Sequence, residues 1–132
     1  MAEGRPAEGR DAFSELLRTE WLELEGDEVR ARLPVTDDLR QPAGFVHGGV
    51  FSSLAEGLAS KATYEAIRND GMVAIGQGIQ TTFLRPITEG HLNATARTRH
   101  RGRTTWVWDV EIADDAGRLC ALARMTVAIR PA

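Results

Sequence analysis

From Glu28 to Val35 apolar and polar positions alternate, with Val29, Ala31, Leu33 and Val35 on one side and charged residues or Pro34 between them. A period of two predicts a strand with one buried face. Leu92–His100 repeats the pattern, setting Leu92, Ala94 and Ala96 against Asn93, Thr95, Arg97 and Arg99. Thr104–Ile112 ranks Trp106, Trp108, Val110 and Ile112 on one face, and Arg118–Arg130 ranks Leu119, Ala121, Ala123, Met125, Val127 and Ile129. Ala113-Asp114-Asp115-Ala116-Gly117 joins these last two as a hairpin turn. Met72–Leu84 is a further strand-like run, stopped by Arg85-Pro86, and Trp21–Glu25 is a short one ended by the turn Gly26-Asp27.

Helical spacing appears twice. Ala12–Thr19 predicts a short helix with Phe13, Leu16 and Leu17 on one side. After a loop from Thr36 to Phe45 that carries Pro42 and Gly44, one long helix runs from Gly48 to Asn69, where Asn69-Asp70-Gly71 ends it. The order is therefore two strands, one long helix, then four strands. An antiparallel sheet with one apolar face needs a cover. The long helix is the cover available, so an α+β fold is expected: a curled antiparallel sheet of about five to six strands wrapped around one helix. Residues 1–11 are polar, with Gly, Pro and charges, and read as a disordered tail; 12–132 read as a single domain.

Composition narrows the function classes. Hydrophobic residues make up 42% of the 132 and the net charge is -3, which suits a packed core and argues against nucleic acid or an anionic membrane as partner. No signal peptide or membrane-spanning run is recognisable, so a cytoplasmic protein is expected. Cys120 is the only cysteine; it excludes an internal disulfide and reads as a small core residue. No His or Cys pair has ligand spacing, so no metal is expected.

The long helix holds the candidate chemistry. From Gly48 to Ser60 it carries one charge, Glu56. At 100° per residue Gly49, Ser52, Ser53, Glu56, Ser60 and Thr63 form one stripe, opposite Val50, Phe51, Leu54 and Leu58. Small side chains around a lone carboxylate leave room for a ligand, although pairing with an arginine would also account for it. Gly48-Gly49 opens the helix, where unpaired amides at the positive end of the dipole could hold a carbonyl oxygen that becomes negative. A tight loop-to-helix junction is the plainer reading of the pair. His47 could serve as acid, base or loop anchor. Arg99-His100-Arg101-Gly102-Arg103 is a basic island at a turn, read equally well as a solvated loop or a phosphate site.

His47-Gly48-Gly49 followed by Glu56 resembles the active-site segment of hotdog-fold acyl-CoA thioesterases, in the Glu-dependent branch of the 4-hydroxybenzoyl-CoA thioesterases and the related phenylacetate-pathway enzymes. The resemblance spans roughly residues 15–130 and includes Thr82-Phe83-Leu84-Arg85-Pro86 and His100-Arg101-Gly102-Arg103-Thr104. It implies a hotdog fold, and hydrolysis of an aromatic or hydroxyaromatic acyl-CoA to free acid and CoA. Glu56 is then nucleophile or general base, the Gly48 N–H polarises the thioester carbonyl, Gln41 places substrate or water, and His47 and Ser60 stand near the reacting atoms. Arg85, Arg101, Arg103 and Thr104 become candidates for the CoA phosphates, with CoA as part of the substrate and no separate cofactor. The resemblance also implies a site built by a homodimer, itself paired into a homotetramer. Helix geometry agrees, because Gly48 and Glu56 lie about 12 Å apart at 1.5 Å per residue. Two rivals share these residues: a hydroxyacyl-thioester dehydratase using His47 with Glu56, and a non-catalytic acyl-CoA binding module.

Overall fold

The computed structural model describes residues 10–132. The expected tail falls mostly on residues 1–9, which lie outside the described residues.

A short helix, α1 (Ala12–Leu16), precedes strands β1 (Glu20–Glu23) and β2 (Glu28–Pro34). The long helix α2 (Gly48–Ile67) follows, and then β3 (Met72–Phe83), β4 (His91–Arg101), β5 (Thr105–Ala113) and β6 (Leu119–Pro131). The six strands form one antiparallel sheet in the order β1-β2-β4-β5-β6-β3. Helix α2 crosses its inner face and packs against β2, β3, β4, β5 and β6. This is the hotdog arrangement implied by the resemblance.

The alternating faces account for the closure. Val29, Ala31, Leu33, Leu92, Ala94, Ala96, Val110 and Ile112 are buried on the inner face, and α2 meets them with Phe51, Leu54, Leu58 and Ala62. Trp106 and Trp108 are buried as expected. The Trp108 indole N–H donates to Thr63 Oγ1 at 2.9 Å, and the Thr63 hydroxyl donates to the Ala59 carbonyl at 2.7 Å, so the burial leaves no orphaned donor. Cys120 is also buried, and desolvation pushes its thiol pKa up. Register shifts between Gly76 and Gly78 and between Thr98 and His100 are bulges that add bend to β3 and β4.

Three expectations need correction. Helix α1 stops at Leu16 rather than Thr19, because Arg18 turns to a φ of 60°. Of the apolar side read from the sequence, Leu17 at the C-cap is buried but Phe13 and Leu16 are exposed, and within the helix the buried residue is Ser14. In β6 Leu119 is exposed and Cys120 is buried, since a register shift beside Ala113 breaks the alternation at the strand's start.

Among the described residues, strand β3 (12 residues) pairs only with β6, and its other edge has no strand beside it. Ile75 and Phe83 on this strand are more than half exposed.

Candidate active site

The start of α2 is fixed by the loop before it. Gln41 N–H donates to Phe45 O at 2.7 Å and Gly44 N–H to Gln41 O at 2.9 Å, a turn that puts Gly44 at a φ of 96°. Val46 N–H donates to Ile87 O and His47 N–H to Leu39 O, both at 2.9 Å. The chain thus arrives at Gly48 with its direction set by these backbone bonds, together with the Arg40 side chain, which donates to the Thr88 carbonyl at 2.9 Å. His47 occupies the N-cap position without a side-chain capping bond. The first amides of α2, at Gly48 and Gly49, have no intrahelical acceptor and remain donors at the positive end of the dipole.

Gly48 lies beneath an aromatic ring. A Cβ at this position would meet Phe83 Cζ at 2.7 Å, and Phe83 stacks edge-on with Phe51 at 5.9 Å between centroids. Any side chain here displaces Phe83. Gln41, Phe45, Gly48, Phe83 and Arg85 line one cleft of about 440 Å³. The loop amide, the helix-start amide and one arginine expected from the sequence are therefore brought together. Phe83 belongs to the expected Thr-Phe-Leu-Arg-Pro segment, but nothing in the sequence marks it as the residue over Gly48.

Glu56 opens elsewhere. It is half-buried and accepts a hydrogen bond from the Ser60 hydroxyl at Oε2, 3.1 Å away, one turn further along α2. No arginine pairs with it among the described residues. Its cleft, of about 430 Å³, also takes in Ser53, Ser60, Lys61 and Tyr64 from α2, with Asp11 and Ser14 from the α1 side. Asp11 caps α1, and the Ser14 hydroxyl and N–H that bond its carboxylate are the main reason its pKa falls below the usual aspartate range. The predicted stripe divides: Ser53, Glu56 and Ser60 remain in the cleft, Ser52 donates to Thr81 Oγ1 on β3 at 2.8 Å, and Thr63 turns into the core.

Gly48 and Glu56 therefore face two different clefts of one chain, eight residues and about 12 Å apart along α2. The arginines divide as well. Arg85 stands with Gly48 at the end of the sheet where Phe83 pairs with Ala121. Arg101, Arg103 and Thr104 belong to the opposite end, where Thr105 pairs with Ala128. The Arg101 guanidinium is already engaged by the Gly26 carbonyl at 3.0 Å, by Asp27 at 3.3 Å and by the Trp106 ring at 4.5 Å.

Comparison with known proteins gives a consistent neighbourhood. Residues 43–121 match the model of the Thioesterase superfamily. The proofreading thioesterase EntH of Cronobacter turicensis is 34% identical over 87% of this chain and 83% of its own. A thioesterase of Pseudomonas aeruginosa, solved as a glutamine-to-alanine mutant, superposes with a TM-score of 0.87 at 32% identity, covering 91% of this chain and 86% of that one. A Staphylococcus aureus thioesterase, also solved as a glutamine-to-alanine mutant, gives a TM-score of 0.87 at 30% identity over 92% of this chain and 100% of that one. A glutamate-to-alanine mutant of the same Staphylococcus protein gives 0.87 at 32% identity, over 91% and 99%.

Proposed function

The chain belongs to the thioesterase superfamily and is a thioester hydrolase, and on that premise we propose that it cleaves an aromatic acyl-CoA at a site shared by two copies of itself. Glu56 of one copy acts on a thioester carbonyl held by the Gly48 N–H of the other. The observation that carries this reading is the separation of the two residues into different clefts of one chain. The open edge of β3 supplies a place for a second copy to add antiparallel, which would bring the start of one α2 beside the middle of the other.

The chemistry follows from the two half-sites. The α2 dipole and its free amides stabilise negative charge developing on the carbonyl oxygen. Ser60 holds Glu56 Oε2, leaving the other carboxylate oxygen to attack the carbonyl carbon or to take a proton from water. Gln41, in the Gly48 cleft, is placed to orient the substrate or the water. In the Staphylococcus aureus relative the glutamine and the glutamate replaced in the two mutants are fifteen positions apart, the spacing of Gln41 and Glu56. Arg85 in the Gly48 cleft supports that side as the one that takes CoA, and an antiparallel second copy would bring Arg103 and Thr104 to the same side. The acyl group is left the Glu56 cleft, where Phe13 and Tyr64 offer flat apolar surface that supports an aryl group.

The test is thiol release from aryl-, arylacetyl- and alkyl-CoA esters. Glu56→Gln is expected to lower kcat by about 10²–10⁴-fold. Full hydrolysis of every ester by that variant would overturn the reading. Arg103→Ala is expected to raise KM for CoA esters more than for N-acetylcysteamine thioesters, which lack the nucleotide.

A further inference from the structure

The Glu56 cleft contains one feature that thioester hydrolysis does not use. Lys61 is the only lysine in the chain, against fifteen arginines. It is half-buried, lines the same cleft as Glu56, and rests its ammonium 5.4 Å from the centre of the Trp21 ring. That stacking holds a flexible four-carbon side chain in one region.

The charges around it are unequally satisfied. Glu56 accepts from Ser60. Asp11 spends both carboxylate oxygens on Ser14, accepting its hydroxyl at 2.6 Å and its N–H at 3.1 Å. Among the described residues, Lys61 has no carboxylate within ion-pair distance. The cation is thus the one charge of the cleft without a hydrogen-bonded partner. It stands five residues beyond Glu56, about 7.5 Å further along α2.

We propose that Lys61 reads the far end of the acyl group and selects acyl chains or rings that end in a carboxylate. A carboxylate there accepts hydrogen bonds from the ammonium in a half-desolvated site, where a charge-assisted bond is stronger than a neutral one. An acyl group ending in a methyl leaves the ammonium unpaired. This assignment rests on the thioesterase reading above.

The experiment compares matched pairs, 4-carboxybenzoyl against 4-methylbenzoyl and glutaryl against valeryl, each as the CoA ester and as the N-acetylcysteamine ester. The expected result is a kcat/KM ratio of carboxylated to neutral ester of about tenfold in both series. Lys61→Met collapses the ratio to one or below, and Lys61→Arg keeps most of it. An unchanged ratio in Lys61→Met overturns the proposal. So does an effect of Lys61→Met confined to the CoA series and equal for both members of each pair, because the ammonium would then be reading a phosphate of CoA. Hydrolysis that depends on Glu56 without any such ratio sinks this inference alone. The absence of thiol release from every ester, or release indifferent to Glu56→Gln, sinks the thioesterase site with it.

Discussion

Thr63 and Ser60 sit one turn apart from their neighbours on the same helical stripe, yet they do different work. Thr63 is fully buried and accepts the Trp108 indole N–H. Thr63→Val keeps the shape but strands that donor, which should cost about 1–3 kcal/mol, measured by urea unfolding. Thr63→Ser, which keeps the hydroxyl, should recover part of the loss. Ser60 instead bonds the carboxylate in the cleft. Ser60→Ala should leave stability nearly unchanged and lower kcat by about tenfold, as a positioning contact to the Glu56 carboxyl group is removed. If Ser60→Ala lost stability and kept full turnover, the two hydroxyls would have been assigned the wrong way round. Angular spacing from the sequence put both residues on one face. It could not say where the sheet closes over α2, and that closure decides which hydroxyl is core and which is ligand.

The elements themselves were largely legible. Alternation accounts for β2, β4, β5 and β6, turn and Pro signals bound β1 and β3, and the Gly48-Gly49 start with Asn69-Asp70-Gly71 at the end marks α2 to within two residues. Helix α1 is only partly legible: Leu17 at its C-cap is buried, but Phe13 and Leu16 are exposed, because this five-residue element docks by Ser14 and its capped end. The contact of β3 with the start of α2 was not legible, since Phe83 and Gly48 meet only once the sheet has curled. That contact is testable as a cycle. Gly48→Ala should destabilise the fold by driving Phe83 from its place, and adding Phe83→Ala should restore part of the stability, a coupling of about 0.5–3 kcal/mol. Strict additivity would mean the ring simply moves aside. On the outer face, Asp109 of β5 accepts from Arg124 of β6 at 2.7 and 3.0 Å and lies 3.2 Å from Arg99 of β4. The Arg124 hydrogen bonds hold its carboxyl below the usual aspartate range. Because the folded pKa is depressed, this stabilisation is present above the unfolded value, about 4, and is lost as pH falls through the folded one. Asp109→Asn should therefore melt with a shallower pH dependence below about pH 4 than the parent chain.

At the scale of the molecule the divided site makes a numerical prediction. Glu56→Ala and Gln41→Ala chains are each expected to be inactive. Mixed and reassembled, they should recover about a quarter of parental activity, since half of randomly paired dimers hold one intact site of two. No recovery, with dimers confirmed by mass, would place both residues in one chain's site. Ile75→Lys on the open edge of β3 should weaken pairing and lower activity together, in step with the dimer fraction seen by sedimentation. The sheet order has a further consequence, for the moment of synthesis. Strands β4, β5 and β6 follow one another as hairpins, whereas β3 must wait for β6, the last of these six in chain order, with Met72 pairing only when Pro131 has emerged. Helix α2 and β3 therefore leave the ribosome well before the strand that anchors them. During that interval Ile75 and Phe83 are exposed on an unpaired strand. A nascent chain of this protein should hold a chaperone until translation of β6 is complete, and release it abruptly rather than by degrees.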